Sequence, residues 1–88
     1  MRHARPDYDR FQDPLGLVPD DEPVFLIRGQ DLAAVATLRY YAMQAHKNGA
    51  ANDLITAVLD HANAMADWQR TVARKTPDLA SLTPTEQP

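Results

Sequence analysis

The sequence predicts a mainly α-helical fold, in which a short extended segment precedes an antiparallel helical hairpin and the chain forms a homo-oligomer. Three observations predict it. All seven prolines lie at positions 6–23 or 77–88, so none interrupts the stretch between. Two alanine-rich segments with apolar residues at helical spacing fill that stretch, and both carry apolar residues on more than one face. Because proline inside a helix costs about 3 kcal/mol, the proline-free stretch marks the folded unit.

Composition divides the chain into three parts. Residues 1–21 are predicted to form an extended, partly disordered N-terminal arm, and residues 22–76 are predicted to form the hairpin domain. Residues 77–88 predict a disordered tail, because their hydrophobicity is low and their apolar residues show no period. A chain of 88 residues allows one domain with a modest core.

An extended segment is predicted at 23–28. Val24 to Ile27 are four consecutive apolar residues, and they end at Arg28. We interpret them as an extended element that covers the hairpin and brings Arg28 to the start of the first helix. The residues leave open whether the segment is a strand, a loop or a helical turn.

The first helix is predicted at 31–48. Its apolar residues recur at helical spacing from Leu32 to Ala45. Asp31 is the expected N-cap, because a carboxylate accepts the free amide hydrogens of the first turn and favours the positive end of the helix dipole. The Asn48-Gly49 pair provides the left-handed stop.

The second helix is predicted at 52–75. Leu54, Val58, Met65 and Val72 form its main apolar stripe. Basic residues crowd its last turns, where they favour the negative end of the dipole, and Pro77 lies just beyond.

Both helices carry a second apolar surface that a lone hairpin leaves uncovered. The extended segment, the N-terminal arm and another copy of the chain are the candidates to cover it. We favour another copy, because burial returns about 25 cal/mol per Å² of apolar area and one hairpin offers little of it. The predicted interface residues are Phe25, Leu38, Tyr41, Met65, Trp68 and Val72.

The residues for most catalysis are missing. There is no cysteine, and the one serine, Ser81, lies in the predicted tail. No two histidines are spaced i, i+4, and no GxGxxG or GxxxxGK[ST] loop occurs. We therefore expect a non-enzymatic protein without cofactor or metal. An enzyme stays possible only if Asp60, His61 and Asp67 converge across a subunit interface; the alternative is that the two aspartates share a solvated face.

Charge and hydropathy restrict the partners. The formal net charge is −3, without the pronounced basic face of a non-specific DNA-binding protein, so nucleic acid is an unlikely partner. No apolar stretch approaches the ~20 residues that span a bilayer, and the charged N-terminal sequence lacks a secretory signal. We expect a cytoplasmic protein that does not bind membranes.

A polar cluster around the start of the first helix is the candidate ligand site. Arg28 at a helix N-terminus suits a phosphate or carboxylate, a glutamine can bind a base or amide edge, and a tyrosine can stack on a ring. The alternative is structural: Arg28 pairs with Asp31 or Glu22, and the tyrosines pack. The candidate ligand-binding residues are Arg28, Gln30, Asp31, Arg39 and Tyr40.

Two stretches carry a resemblance: Glu22-Pro23-Val24-Phe25 with Arg28 and Gln30-Asp31, then an alanine-rich helix, and "AMADWQ" at 64–69. Over residues 20–78 the chain resembles small phage- and prophage-type proteins of no assigned activity. The resemblance implies a compact helical accessory protein and no catalytic residues. Two functions follow as hypotheses. One is sequestration of an anionic nucleotide-like signal at subunit boundaries to counter host defence. The other is a helical adaptor or inhibitor that binds a host or phage protein.

Overall fold

The computed structural model describes residues 2–3, 13 and 15–78. Four elements follow one another along the chain: β1 (Arg2–His3), β2 (Pro23–Val24), α1 (Ala34–Lys47) and α2 (Asn52–Thr71). The strands belong to one compact unit, and the helices belong to another, Ile27–Pro77. Most of the predicted arm and nearly all of the predicted tail lie outside the described residues. The predicted mainly helical hairpin with a short strand before it is confirmed.

The two strands of the first unit pair in parallel. Arg2 lies opposite Pro23, and His3 lies opposite Val24. Proline lacks the amide hydrogen that a central strand needs, which suits a short pairing of this kind. Of the extended segment predicted at 23–28, only the first two residues are strand.

A turn held by Asp13 belongs to the same unit. Its carboxylate accepts the backbone N–H of Leu17 at 3.0 Å and that of Val18 at 2.9 Å. Gly16 has a φ of 62°, a left-handed conformation that glycine adopts without strain. The hydrogen bond from Val18, followed by that from Leu17, holds the pKa of Asp13 below its ordinary value.

Helix α1 begins three residues later than predicted. The carboxylate of Asp31 accepts the N–H of Ala33 at 2.7 Å, within a turn that precedes the helix. Ala33 is the N-cap residue, and it makes no side-chain capping bond. The prediction that Asp31 caps the helix is therefore wrong: it caps the turn instead. At the other end Gly49 has a φ of 82° and donates to the carbonyl of His46, as the left-handed stop requires.

Helix α2 begins at Asn52, as predicted, but ends at Thr71 rather than at 75. After Val72 the chain runs beside the residues that precede α1. The N–H of Lys75 donates to the carbonyl of Gln30 at 2.7 Å, and the N–H of Leu32 donates to the carbonyl of Lys75 at 2.9 Å. We call this parallel pairing the closing bridge. Because the N–H of Lys75 donates to Gln30, it cannot donate to the carbonyl of Thr71, as a helix extended to residue 75 would require. The bridge therefore replaces the last turn of the predicted helix.

The core between the helices is small. The buried apolar residues among those described are Ala34, Ala42, Ala62 and Met65. Alanine lets two helices approach closely, but it contributes little apolar area. Larger apolar side chains lie on the outer faces, with Trp68 50% exposed and Tyr41 53% exposed. The hairpin thus buries its small residues and leaves much of its large apolar surface accessible.

Candidate functional site

The helical unit has a concave surface on each flank of the α1–α2 contact. On one flank lies a cleft of about 560 Å³, which we call the basic cleft. On the other flank lie two hollows, of about 490 and 380 Å³, which share Ile27 and His61. The basic cleft is lined by Leu32, Val35, Arg39, Ala66, Gln69, Arg70 and Arg74. The first hollow is lined by Ile27, Thr37, Leu38, Tyr41, Ala57, Val58 and His61. The second hollow is lined by Ile27, Arg28, Gly29, Gln30, His61, Ala64, Met65 and Trp68.

Three arginines from three parts of the helical unit meet at the basic cleft. Arg39 lies on α1, Arg70 lies on α2, and Arg74 follows α2. The antiparallel hairpin places Arg39 beside the second half of α2, where its Nη2 donates to Asn63 Oδ1 at 3.4 Å. This long-range convergence depends on the register of the two helices.

The cations of the cleft are weakly compensated. Arg70 Nη2 lies 3.3 Å from Asp67 Oδ1, and both side chains are more than two-thirds exposed, at 71% and 72%. Within the described part of the chain, Arg74 makes no hydrogen bond or ion pair. Three arginines thus line one cleft, and among the described residues one carboxylate is paired with them. An anion entering the cleft would meet a positive potential.

Gln69 fixes the wall of the cleft. Its Nε2 donates to the carbonyl of Gly29 at 3.0 Å and to that of Asp31 at 2.6 Å. The same turn is closed by the N–H of Asp31, which donates to the carbonyl of Arg28 at 3.1 Å. One side chain of α2 therefore holds the loop that precedes α1. Both amide hydrogens of Gln69 are used, so only its Oε1 can contact a ligand.

The five predicted ligand-binding residues do not form one site. Arg28 and Gln30 line the second hollow, whereas Arg39 lines the basic cleft on the opposite flank. The Asp31 carboxylate is bound to the Ala33 amide, and Tyr40 lines none of these three surfaces. The reason is the direction in which the side chains project: Arg28, before α1, and Arg39, in the second turn of α1, point to different sides of the hairpin.

The predicted interface residues also separate. Met65 is buried between the helices, so it packs within one chain. Leu38 is partly buried at the same contact, while Tyr41, Trp68 and Val72 are at least half exposed. Phe25 is exposed and belongs to the unit that holds the strands.

Sequence reasoning missed Arg70, Arg74 and Gln69 as site residues. For the basic residues in the last turns of α2, the sequence predicts only a favourable interaction with the helix dipole. A signal was present, because a four-residue connection fixes the antiparallel register to within about one turn and sets Arg39 opposite residues near 63. Nothing local in the sequence indicates that Gln69 would bind the carbonyls of a loop 38 and 40 residues away.

Metal chemistry finds no support in the described residues. They contain no group of three or more His, Cys, Asp or Glu side chains able to hold a metal ion, so Asp60, His61 and Asp67 do not form one within a single chain. In the same residues, no helix combines the length and the apolar character needed to cross a membrane. Comparison of the chain with protein-family models, with curated proteins and with solved structures finds no match.

Proposed function

We propose that this protein is a non-enzymatic binding protein that holds a phosphate-bearing small molecule in the basic cleft. The single observation that carries the proposal is the meeting of Arg39, Arg70 and Arg74 at one concave surface. A planar guanidinium donates two parallel hydrogen bonds to a phosphate, and arginine is the residue most suited to that contact. Three such groups can surround one phosphoryl group or two adjacent ones.

The dimensions of the cleft fit a ligand of nucleotide size. Its volume of about 560 Å³ lies within the roughly 300–1,000 Å³ of small-molecule sites. Leu32, Val35 and Ala66 form an aliphatic wall, and among the described residues no aromatic side chain lines it. The cleft therefore favours recognition of the anionic group with aliphatic contact, and the predicted stacking on Tyr40 plays no part in this proposal.

The existing ion pair does not obstruct the ligand. Exposed pairs such as Arg70–Asp67 contribute at most about 1 kcal/mol, because water screens the charges. A phosphate with two charges and several acceptor oxygens competes well with one exposed carboxylate. Because all three arginines belong to one chain, the ligand needs no second subunit. The proposed site therefore lies within one chain, whereas the sequence predicts binding at subunit boundaries.

The biological role stays a prediction. Withdrawal of a nucleotide-like signal from host defence agrees with the resemblance to phage-type proteins and with an anion-binding cleft. The adaptor or inhibitor hypothesis is favoured by a different observation, the exposed apolar side chains on the opposite flank. The two roles predict different binding partners, so one titration series separates them.

Isothermal titration of the full chain with pyrophosphate, AMP, ADP and cyclic dinucleotides tests the proposal. We expect binding of at least one phosphate compound that weakens as ionic strength rises. Arg74→Gln and Arg39→Gln should each weaken it about five- to tenfold, since a solvent-exposed charge-assisted contact is worth about 1 kcal/mol.

Two matched controls remove one cation elsewhere. Lys47→Gln lies at the far end of α1, and Arg28→Gln lies on the opposite flank. Neither change should alter the dissociation constant more than twofold. Equal losses in all four variants would show that net charge, and not the cleft, attracts the ligand. No binding of any compound, together with capture of one protein partner, would favour the adaptor.

A further inference from the structure

Helix α2 carries a second row of residues beside its contact with α1. Leu54, His61 and Trp68 are seven residues apart, and Ala57, Ala64 and Thr71 form the intervening set with the same spacing. All six are exposed. Large side chains thus alternate with small ones along a seam with the 3.5-residue average period of packed helices. We call these six residues the exposed row.

We propose that a second copy of this chain packs on the exposed row, with the two α2 helices antiparallel and a two-fold axis between Ala62 and Asn63. Antiparallel packing with that axis sets each residue of the first set against one of the second set. Leu54 meets Thr71 of the partner subunit, His61 meets the partner's Ala64, and Trp68 meets the partner's Ala57. Each pair contains one large and one small side chain.

The two hollows match this register. The first hollow is lined by Ala57 and has a volume of about 490 Å³, so it can receive the indole of the partner's Trp68. The second hollow is lined by Ala64, beside which the partner's His61 would lie. Trp68 is 50% exposed and Leu54 is 45% exposed, and this contact would cover both. Trp is the residue type that most often dominates the binding energy of such interfaces.

A second copy fits this surface better than an unrelated partner. A two-fold interface must be self-complementary, and here every small residue of the row has its large counterpart on the same row. Parallel pairing would instead set tryptophan against tryptophan and alanine against alanine. The exposed row and the α1 side of the first hollow together form a face about 20 Å wide and about 30 Å long. Its area of roughly 600 Å² approaches the ~800 Å² that each partner buries in a standard interface.

Charge makes the proposed contact sensitive to salt. Asp53, Asp60 and Asp67 border the row on the side away from α1. In the antiparallel pair they lie on the same side as the three aspartates of the partner. Among the described residues, Arg70 compensates only Asp67 of these three, so a net repulsion opposes association. Salt screens it over a Debye length of about 10 Å at 0.1 M. The dimer should therefore tighten as sodium chloride rises, which is the opposite of the expected ligand behaviour.

Analytical ultracentrifugation of the full chain across protein and salt concentrations tests the association. Trp68→Ala and Ala57→Leu should each weaken the dimer at least tenfold, the first by leaving a void and the second by opposing two large groups. The double variant Ala57→Leu with Trp68→Ala restores one large and one small partner, so it should dimerise more tightly than either single variant. Leu59→Ala, at an exposed α2 residue outside the row, is the matched control and should have no effect.

Cysteine cross-linking tests the register directly, because in a mixed dimer one Trp68–Ala57 pair becomes two cysteines and the other pair stays intact. The chain has no native cysteine, so introduced thiols are the only ones. An equimolar mixture of Ala57→Cys and Trp68→Cys chains should form covalent dimers on oxidation, and neither variant should do so alone. In the proposed register like positions lie about 16 Å apart, too far for a disulfide. Cross-links in each variant alone would show a parallel pair and overturn the proposal, and so would a native chain that stays monomeric at all concentrations.

Discussion

Replacement of Gln69 should destabilise the helical unit more than any other single loss of a surface amide. Gln69 donates to the carbonyls of Gly29 and Asp31, and this contact is partly buried. The Asp31 carbonyl also accepts the N–H of Ala34 at 2.9 Å, so it keeps one partner after the change. The Gly29 carbonyl has no second partner among the described residues.

The magnitude follows from those contacts. Two hydrogen bonds contribute about 0.5–1.5 kcal/mol each, and an unsatisfied, partly buried carbonyl adds a further desolvation cost. We expect Gln69→Ala to lower the free energy of unfolding by about 2–3 kcal/mol. For a domain of this size each kcal/mol lowers Tm by about 4–8 °C, so the fall should be roughly 8–24 °C. Gln69→Glu should be worse, since it sets a carboxylate against two carbonyl oxygens.

Circular dichroism at 222 nm, recorded during thermal unfolding at one fixed protein concentration, provides the measurement. A fixed concentration is needed because self-association makes Tm depend on it. Gln44→Ala is the matched control: it removes the same group from α1, where the side-chain amide makes no hydrogen bond to a described residue. If both alanine variants melt within 2 °C of each other, Gln69 does not hold the loop, and the stabilising role given to its two hydrogen bonds is refuted.

Four further predictions concern single turns. Gly49→Ala should lower the free energy of unfolding by about 1–2 kcal/mol, because the φ of 82° strains any side chain. Gly29→Ala should be neutral or stabilising by up to about 1 kcal/mol, because its added methyl meets its nearest neighbour at 3.6 Å, an ordinary contact; urea unfolding measures both, and equal effects contradict the argument. Asp31→Ala should cost about 1 kcal/mol in the same assay, and Asp31→Asn, which keeps an acceptor oxygen, should recover most of it. The folded-state pKa of Asp13 lies below its unfolded value, mainly through the hydrogen bond from Val18. Its contribution to stability is therefore present above the unfolded pKa and is lost as pH falls through the folded pKa. The amide chemical shift of Val18 during an acid titration should follow that loss, and a shift that does not move would contradict it.

The existence of both helices could be predicted because two independent signals agree. Prolines are absent from 24–76, and apolar residues recur at helical spacing within that range. The stop at Gly49 was predictable too, because few residues other than glycine adopt its backbone conformation. These signals are local, so one sequence contains all that is needed to interpret them.

The helix ends and the site depend on contacts between distant residues. Residues 72–75 have good helix propensity, yet they leave the helix because Lys75 pairs with Gln30 and Leu32 across the hairpin. An aspartate shortly before a helix can accept an amide hydrogen of the first helical turn or of a turn that precedes the helix. The sequence does not distinguish the two, and Asp31 caps the preceding turn. To predict the basic cleft, one must know that Arg39, Arg70 and Arg74 lie close together in space. The sequence shows this only after the register of the two helices is known.

The proposed ligand and the proposed second copy can bind the same chain at the same time, because their binding surfaces lie on different flanks of α2. Trp68 and Arg70 are two residues apart, which is about 200° around a helix. Trp68 lines the second hollow, and Arg70 lines the basic cleft. A dimer on the exposed row would therefore leave both basic clefts open, with one ligand per chain. Gln69 lies between them in sequence and holds the loop before α1, so the residue that stabilises the hairpin also fixes the wall against which a ligand would rest.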